Sequence, residues 1–215
     1  MDGADRPRPL PPVSEIDDPL LARARRLVVP GERRLLGITG APAAGKSTLA
    51  SALVAALYPD AILVPMDGFH LAQRELARLG RTERKGAPDT FDGAGFLALL
   101  RRLAAATEPV VYAPEFRREI EEPIAGAIAV PREVPLVVVE GNYLLVDEPP
   151  WRDLAPLLAE TWYLDPDEAT RIARLVARHM AFGRDEAQAI GRALGSDQRN
   201  AEVILATRAK ATVIV

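Results

Sequence analysis

The stretch GAPAAGKS, from Gly40 to Ser47, constrains the fold of this chain more than any other. It matches the pattern G-x-x-x-x-G-K-[ST] and lies between an apolar run that ends at Thr39 and a helical pattern that begins at Lys46. Glycines in such a loop let backbone N–H groups turn inward around an anion, and the start of the following helix adds partial positive charge. A turn without a ligand would need neither Lys46 nor a position between a strand and a helix. The stretch therefore predicts a phosphate-binding loop.

The loop suggests roles for its own residues. Lys46 would bridge the outer phosphates of a nucleotide, and the hydroxyl of Ser47 would hold a magnesium ion. The predicted cofactors are therefore ATP and Mg2+. The nucleotide-binding residues predicted in this loop are Gly40, Ala41, Ala43, Ala44, Gly45, Lys46, Ser47 and Thr48.

Apolar runs of strand length alternate with helical patterns along most of the chain. Several runs are apolar without alternation, as expected for strands that are buried on both faces of a parallel sheet. This order predicts the α/β class with a doubly wound, mostly parallel sheet flanked by helices. Together with the phosphate loop, it gives a predicted P-loop NTPase fold, to which the regions described below add a small substrate-binding insertion and a helical lid. The predicted strands are 35–38, 61–65, 110–112, 136–139, 161–164 and 212–215. The predicted helices are 14–29, 46–57, 69–79, 94–105, 168–181 and 197–209.

The domain organisation follows from length and local composition. The chain has 215 residues, of which 48% are hydrophobic, and this is enough for one core. Residues 1–13 are rich in proline and charge and are predicted to be a disordered tail, and residues 14–215 are predicted to be a single domain. Within that domain, the proline-interrupted region 80–130 is the predicted substrate-binding excursion, and residues 171–195 are the predicted lid.

Composition also limits the classes of partner. A net charge of -3 and a pI near 5.6 argue against a general nucleic-acid binder, and a chain with no cysteine and two histidines is a poor zinc protein. No apolar run reaches the roughly 20 residues of a membrane helix, and the N-terminus lacks the apolar core of a signal peptide. We therefore expect a cytoplasmic protein without nucleic-acid or membrane partners. The expected partner is a small molecule with a hydroxyl group, and the sequence leaves open whether the chain forms a homodimer.

Two acidic residues follow apolar runs at the predicted carboxyl edge of the sheet: Asp67 in ILVPMDGFH and Glu140 in PLVVVEGNYLL. Because the carboxyl ends of parallel strands form the ligand crevice of an open α/β sheet, both carboxylates are expected beside the phosphate loop. Asp67 would orient and deprotonate an attacking hydroxyl, and Glu140 would lie near the metal. Taken singly, Asp67 could instead cap the helix predicted from Phe69, and Glu140 could lie in a solvated turn.

Arginines recur in the predicted lid. Arg171, Arg174 and Arg178 share one helix face, and Gly183 with Arg184 then opens a loop. Arginines on a closing segment can stabilise the charge of a phosphoryl group during transfer and can exclude water. The alternative for any one of them is a solvated helix face paired with nearby acidic residues.

The excursion also contains candidate contacts for the acceptor. Arg117 and Arg118 favour an anionic or polyhydroxylated acceptor, unless they pair with the neighbouring glutamates in a surface hairpin. His70, three residues after Asp67, is placed to hydrogen-bond the acceptor or to serve a structural role. His179 is interpreted as part of the polar face of the lid helix.

Taken together, the segments GITGAPAAGKST, MDGFH, KGAPDTFD, VVVEGNYLL and RLVARHMAFGRD resemble the P-loop kinases of the phosphoribulokinase, uridine kinase and bacterial pantothenate kinase group. KGAPDTFD and DGFH are most similar to the pantothenate kinase side and to relatives described as sugar or nucleoside kinases. The likeness extends from about Leu35 to the C-terminus. It implies an ATP-dependent kinase that moves the γ-phosphate to a hydroxyl of a small metabolite, such as a sugar, a pantothenate-like acid or a nucleoside.

The resemblance implies catalytic and metal-binding roles. Asp67 lies at the position of the catalytic carboxylate of that group, and Lys46 at the position of its phosphate-binding lysine. Ser47 and Glu140 take the two places near the metal. The alternative is a P-loop NTPase or nucleotide-dependent regulator without a small-molecule acceptor, against which Asp67 and the segment KGAPDTFD argue.

The resemblance also implies contacts to the nucleotide and the acceptor. Arg174 matches a catalytic lid arginine that reaches the transferred phosphate, Arg184 matches another, and Arg178 lies one residue from the place of a further one. Tyr112 and Arg117 fall where uridine kinases have a tyrosine and a histidine that contact the nucleoside. A charged stretch, EFRRE, replaces the region of that histidine here.

Overall fold

The computed structural model describes residues 18–215. The predicted tail at 1–13 and the first part of the helix predicted from residue 14 lie outside the described residues. The helices within this range are α1 (Asp18–Arg25), α2 (Lys46–Ala56), α3 (Gln73–Arg78), α4 (Gly93–Ala105), α5 (Glu168–Ala181), α6 (Glu186–Leu194) and α7 (Ser196–Leu205). The strands are β1 (Arg34–Gly40), β2 (Ala61–Pro65), β3 (Val110–Arg117), β4 (Glu122–Pro131), β5 (Leu136–Glu140), β6 (Glu160–Leu164) and β7 (Val213–Ile214).

A parallel sheet forms the centre of the described part of the chain. Among residues 18–215 it has five strands in the order β2-β5-β1-β6-β7, and every neighbouring pair is parallel. Strand β5 is buried along its whole length and β1 from Leu35 onward, because a cluster of apolar side chains covers each face of the sheet. The predicted α/β fold is confirmed.

The strand predicted at 110–112 is not part of the parallel sheet. It is the start of β3, which pairs antiparallel with β4 in a separate two-stranded sheet. Val111 and Ala113 are buried whereas Tyr112 is exposed, so β3 has one covered face and one solvent-facing face. The predicted strand is confirmed, and it lies within the region 80–130 that was predicted as the substrate-binding excursion.

The helix predicted at 69–79 is confirmed only in its second part. A 3-10 turn occupies Met66–Phe69, and α3 begins only at Gln73. Between them His70 is extended and forms an isolated antiparallel bridge with Phe91, which a helical backbone could not do. The 3-10 turn that carries Asp67 directly follows β2, at the carboxyl edge of the sheet.

The loop predicted after Arg184 contains the additional helix α6. Its N-cap is Asp185, whose carboxylate accepts a hydrogen bond from the backbone N–H of Gln188 at 2.8 Å. Helix α6 packs against α5, so the two form a helical hairpin joined at Gly183. No helix within residues 18–215 has the length and apolar character needed to cross a bilayer.

Candidate active site

The phosphate loop connects β1 to α2, and its backbone imposes its shape. Gly40 has φ +147° and Gly45 has φ +100°, which are conformations that favour glycine. A Cβ atom on Gly40 would lie 2.7 Å from the carbonyl oxygen of Leu164. Ala43 also has a positive φ, +65°, and such local strain is typical of ligand-binding loops. Lys46 is buried, and its Nζ donates a hydrogen bond to the carbonyl oxygen of the loop residue Ala41 at 3.1 Å.

Glu140 lies at the carboxyl end of β5, directly beside the phosphate loop. In the sheet register it is level with Ile38 on one side and Pro65 on the other. Its side chain is buried, and Oε2 accepts a hydrogen bond from Ser47 Oγ at 3.3 Å. Burial raises the pKa of the Glu140 carboxyl, and the charge of Lys46 opposes this shift. The alternative interpretation as a solvated turn is therefore wrong.

Asp67 lies in the 3-10 turn that follows β2. Its Oδ2 accepts a hydrogen bond from Nη2 of Arg118 at 3.2 Å, and both side chains remain partly exposed. Asp67 does not cap α3, whose N-cap is Ala72. The next residue, Gly68, packs so closely against the hairpin that a Cβ would lie 2.3 Å from the carbonyl oxygen of Pro114. This contact holds the Asp67 turn and β3 together.

His70 presents a hydrogen-bond acceptor rather than a charge. Its Nδ1 lies 2.8 Å from the carbonyl oxygen of Asp67, and because a carbonyl only accepts, Nδ1 carries the proton. The ring packs between Phe91 and Phe116, with ring centroids 4.0 and 4.7 Å away. Burial lowers the pKa of His70, so the ring is neutral at pH 7. Nε2 therefore keeps a lone pair, and no hydrogen bond from residues 18–215 engages it.

The structure brings these groups together in one cleft of about 600 Å³. Its lining includes Lys46, Ser47, Asp67, His70, Arg118, Glu140, Arg178 and Arg184. A second cavity of about 650 Å³ lies over the phosphate loop, and Thr48 is among the residues that line it. The two cavities share Lys46, Ser47, Arg118 and Arg178, so a molecule in one would meet a molecule in the other at these side chains.

The arginines of α5 do not all reach the cavities. Arg174 and Arg178 line the cavity over the phosphate loop, and Arg184 lines the cleft. Within residues 18–215 no hydrogen bond or ion pair holds the guanidinium of Arg178, and burial lowers its pKa. The side chain of Arg171 is instead buried between α5 and α7, where its Nη2 donates a hydrogen bond to Oε1 of Gln198 at 2.6 Å. Its role is to attach α5 to α7.

Tyr112 and Arg117 lie outside both cavities. Tyr112 is on the exposed face of β3, with 60% of its surface accessible. Arg117 Nε donates to Oε2 of Glu115 at 3.0 Å on the hairpin surface. The adjacent Arg118 lines the cleft in its place. Because side chains alternate along a strand, an error of one residue in the position of this arginine changes the face on which it lies.

One wall of the cleft was largely missed by the sequence analysis. It includes His179 on α5, together with Asp197 and Asn200 on α7. His179 Nε2 lies 2.6 Å from Oδ2 of Asp197, and both α7 residues are buried. The available signal was their spacing of three residues on the helix face that also carries Ala201 and Ile204.

Comparison with known proteins identifies the family. No protein-family model matches the chain. A Schizosaccharomyces pombe protein named provisionally as a uridine kinase is 36% identical over 201 residues, which cover 88% of this chain and 85% of that protein. The chain belongs to the uridine kinase type of P-loop kinases. An ATP-dependent kinase-like protein of Aspergillus versicolor is 37% identical over 152 residues, covering 66% of this P-loop kinase and 88% of the relative.

A solved structure supports the same family. It comes from a Silicibacter species and is named provisionally as a fructose transport system kinase. It is 40% identical and superimposes with a TM-score of 0.83 over 91% of this P-loop kinase and 98% of the other chain. The comparisons support ATP-dependent kinase activity and leave the acceptor open.

Proposed function

We propose that this P-loop kinase transfers the γ-phosphate of ATP to a hydroxyl of a small polyhydroxylated metabolite. The observation that carries the proposal is the convergence of two sets of groups in one cleft. Lys46, Ser47 and Glu140 form the phosphate side, and Asp67 with His70 forms the side open to an acceptor. A nucleotide-binding protein without an acceptor would not need the second set.

Ser47 and Glu140 fit a bound Mg2+. They supply a hydroxyl and a carboxylate oxygen, which are the ligand types that this ion prefers, and they already lie 3.3 Å apart. Glu140 is a buried carboxylate beside a single lysine, a setting that a divalent cation stabilises. When bound, Mg2+ would supply positive charge between the outer phosphates.

The phosphate side would hold and neutralise the transferring group. The N–H groups of the loop and Lys46 Nζ would bind the phosphate oxygens, since Nζ has three donors and uses one of them on the carbonyl of Ala41. Arg174 and Arg178 stand over the loop and would balance the charge that spreads over the phosphoryl oxygens during transfer. Arg184 would approach from the cleft.

Asp67 is proposed as the general base. The acceptor hydroxyl gives its proton to the Asp67 carboxylate, its oxygen forms a bond to the γ-phosphorus, and the bond to the bridging oxygen of ADP breaks. Arg118 holds Oδ2 of Asp67, which leaves Oδ1 to receive the proton. The arginine thereby orients the carboxylate for the hydroxyl.

A sugar-like polyol is the acceptor class that the cleft fits best. Asp67 and His70 Nε2 both accept hydrogen bonds, so they are matched by two hydroxyl groups of one molecule. The rings of Phe91 and Phe116 already pack against His70, and Nζ of Lys85 lies 4.9 Å from the centroid of the Phe116 ring. Because the faces of these rings are occupied, stacking of a nucleobase on them is disfavoured. The fructose in the name of the Silicibacter protein agrees with this class.

An acceptor screen tests the proposal. Purified protein with ATP and Mg2+ is offered sugars, polyols, nucleosides and pantothenate-like acids, and ADP release is measured with phosphorus NMR of the product. We expect release to rise with at least one polyhydroxylated compound and to be lost in Asp67→Asn. ATP turnover that is the same with every compound and in its absence would overturn the proposal and favour an NTPase or a nucleotide-dependent regulator.

A further inference from the structure

Arg192, on α6, joins two segments that are far apart in the sequence. Its Nη1 donates to the carbonyl oxygen of Glu83 at 2.7 Å, and its Nη2 donates to that of Lys85 at 3.0 Å. Nε makes no hydrogen bond within residues 18–215, and Oδ1 of Asp197 lies 4.0 Å from it. A planar guanidinium offers two donors in a fixed geometry, which the single ammonium of a lysine cannot reproduce.

The segment held by Arg192 is part of the cleft. We call residues 82–86 the acceptor wall, since four of them line the cleft: Thr82, Glu83, Lys85 and Gly86. Tyr143 donates its hydroxyl to the carbonyl oxygen of Gly86 at 2.5 Å. Lys85 Nζ donates to the carbonyl oxygen of Glu121, at the tip of the β3–β4 hairpin, at 2.7 Å. The acceptor wall is therefore held from three sides, and one of these is α6.

The other end of this connection lies at the cavity over the phosphate loop. Helix α6 packs against α5, which carries Arg174 and Arg178 over the phosphate loop. Arginines that bind phosphate oxygens fix the position of their own helix. Because α5 and α6 form one helical hairpin, this constraint passes to Arg192 and through it to the backbone of the acceptor wall.

We propose that Arg192 is a positioning residue that couples the acceptor wall to α5, so that nucleotide binding orders the surface on which the acceptor binds. The inference rests on the proposed function, because it takes the nucleotide to bind at the arginines of α5. Such coupling needs two distinct sites and one shared element whose conformation is shifted by binding at either site. Here the sites are the phosphate loop and the acceptor wall, and the shared element is the α5–α6 hairpin with Arg192.

Hydrogen exchange tests the coupling without an identified acceptor. The probe is Mg2+ with an ATP analogue in which an NH group replaces the oxygen between the β- and γ-phosphorus atoms. In the wild type we expect the probe to slow exchange in two peptides, one over residues 40–48 and one over 82–90. The slowing at 82–90 is expected to be about 10-fold. In Arg192→Gln it should fall below about 2-fold while the slowing at 40–48 persists.

Two further variants serve as controls. Arg199→Gln removes an exposed arginine from the neighbouring helix α7 and should leave both effects as in the wild type. Arg192→Lys keeps the charge with one donor group and should give an intermediate slowing at 82–90. A purely structural role for Arg192 would change exchange at 82–90 equally with and without the probe, so the measured quantity is the difference between these two states.

The outcomes separate the coupling from the proposed function. If Arg192→Gln keeps the full probe-dependent slowing at 82–90, or if the wild type shows none there, the coupling is refuted. If the wild type shows no slowing at 40–48 either, nucleotide binding itself fails, and both the coupling and the proposed kinase activity are overturned.

Discussion

The phosphate side and the acceptor side of the cleft are built differently. The phosphate side consists of Lys46 and Ser47, in the first turn of α2, and Glu140, at the carboxyl end of the buried strand β5. The acceptor side consists of a 3-10 turn, the acceptor wall and a hairpin, which are held by contacts such as Arg118 to Asp67, 51 residues apart. The first is fixed by local order along the sheet edge, and the second by contacts between distant segments.

This difference indicates which side of the cleft tolerates amino-acid substitutions better. A loop whose shape is set by glycine backbone and close packing has little freedom to accept another side chain. A surface assembled from partly exposed ion pairs and hydrogen bonds loses less when one of them is removed. Apart from Asp67, which is proposed as the general base, substitutions on the acceptor side should therefore have smaller effects on activity than substitutions on the phosphate side.

The largest effect is expected at Asp67, which belongs to the acceptor side and is the proposed general base. Asp67→Asn keeps the size of the side chain and removes the base, so kcat should fall by about 10³-fold. Nucleotide affinity, measured by calorimetry, should stay within about 2-fold of the wild type, since Asp67 is not proposed to bind phosphate. Retention of most of the activity would remove Asp67 from the mechanism.

Lys46→Met should lower kcat by about 10²-fold and also weaken nucleotide binding. The lysine is buried, and methionine fills a similar volume without the charge, so the loop should keep its fold. Circular dichroism and the unfolding temperature check the fold, and steady-state kinetics check the activity. Equal affinity for ATP in the variant and the wild type would contradict the role of Nζ at the phosphates.

His70 should set the acceptor KM. His70→Asn can still donate to the carbonyl of Asp67 but lacks the acceptor atom at Nε2, so KM for the acceptor should rise by about 10-fold. His70→Gln can place an oxygen near the position of Nε2 and should lose less. An equal KM in both variants and the wild type would show that no hydroxyl binds at Nε2.

The same residue predicts a pH dependence. Burial, Lys85 and Arg118 lower the pKa of His70 below its ordinary value of 6.5, while Asp67 opposes the shift. The ring is therefore neutral at pH 6.5 and above, and it gains a proton only as the pH falls through the lowered pKa. The acceptor KM should be constant above pH 6.5 and rise below it. In His70→Gln, which does not titrate, this rise should be absent.

The smallest expected effect is a difference in acceptor KM between variants of two neighbouring arginines, Arg117 and Arg118. Arg118→Ala should raise the acceptor KM by about 5-fold, since Arg118 lines the cleft and orients a partly exposed Asp67. Arg117→Ala should change KM by less than about 2-fold, because Arg117 lies outside the cavities and is held by Glu115. The opposite ranking would return the substrate contact to Arg117, where the resemblance to uridine kinases placed it.

Sequence reasoning succeeded where chain order alone decides position. Glu140 follows an apolar strand, and the carboxyl ends of parallel strands meet at one edge, so its place beside Ser47 could be predicted. The same rule placed Asp67 at that edge, although the turn that carries it was predicted as a helix. The parallel sheet was predicted from the alternation of apolar runs with helical patterns, and the phosphate loop from its sequence motif.

Sequence reasoning failed where a residue gains its role from a distant partner. Nothing near Asp197 in the sequence indicates that it meets His179, and nothing near Arg192 indicates the carbonyl of Glu83. Arg117 and Arg118 are chemically equivalent in the sequence, and only the pairing of β3 with β4 decides which of them enters the cleft. Such contacts depend on tertiary packing that periodicity does not encode.

The contact of Gly68 with Pro114 has a consequence for regioselectivity. Because a Cβ on Gly68 would lie 2.3 Å from the carbonyl oxygen of Pro114, the Asp67 turn packs directly against the hairpin that carries Phe116 and Arg118. With Asp67 as the proposed base, an acceptor that rests against the hairpin would meet its carboxylate at one depth along the carbon chain. Among several hydroxyls of similar reactivity, the enzyme would phosphorylate the one at that depth, and a homologous acceptor one carbon longer would be modified at a different carbon or left untouched.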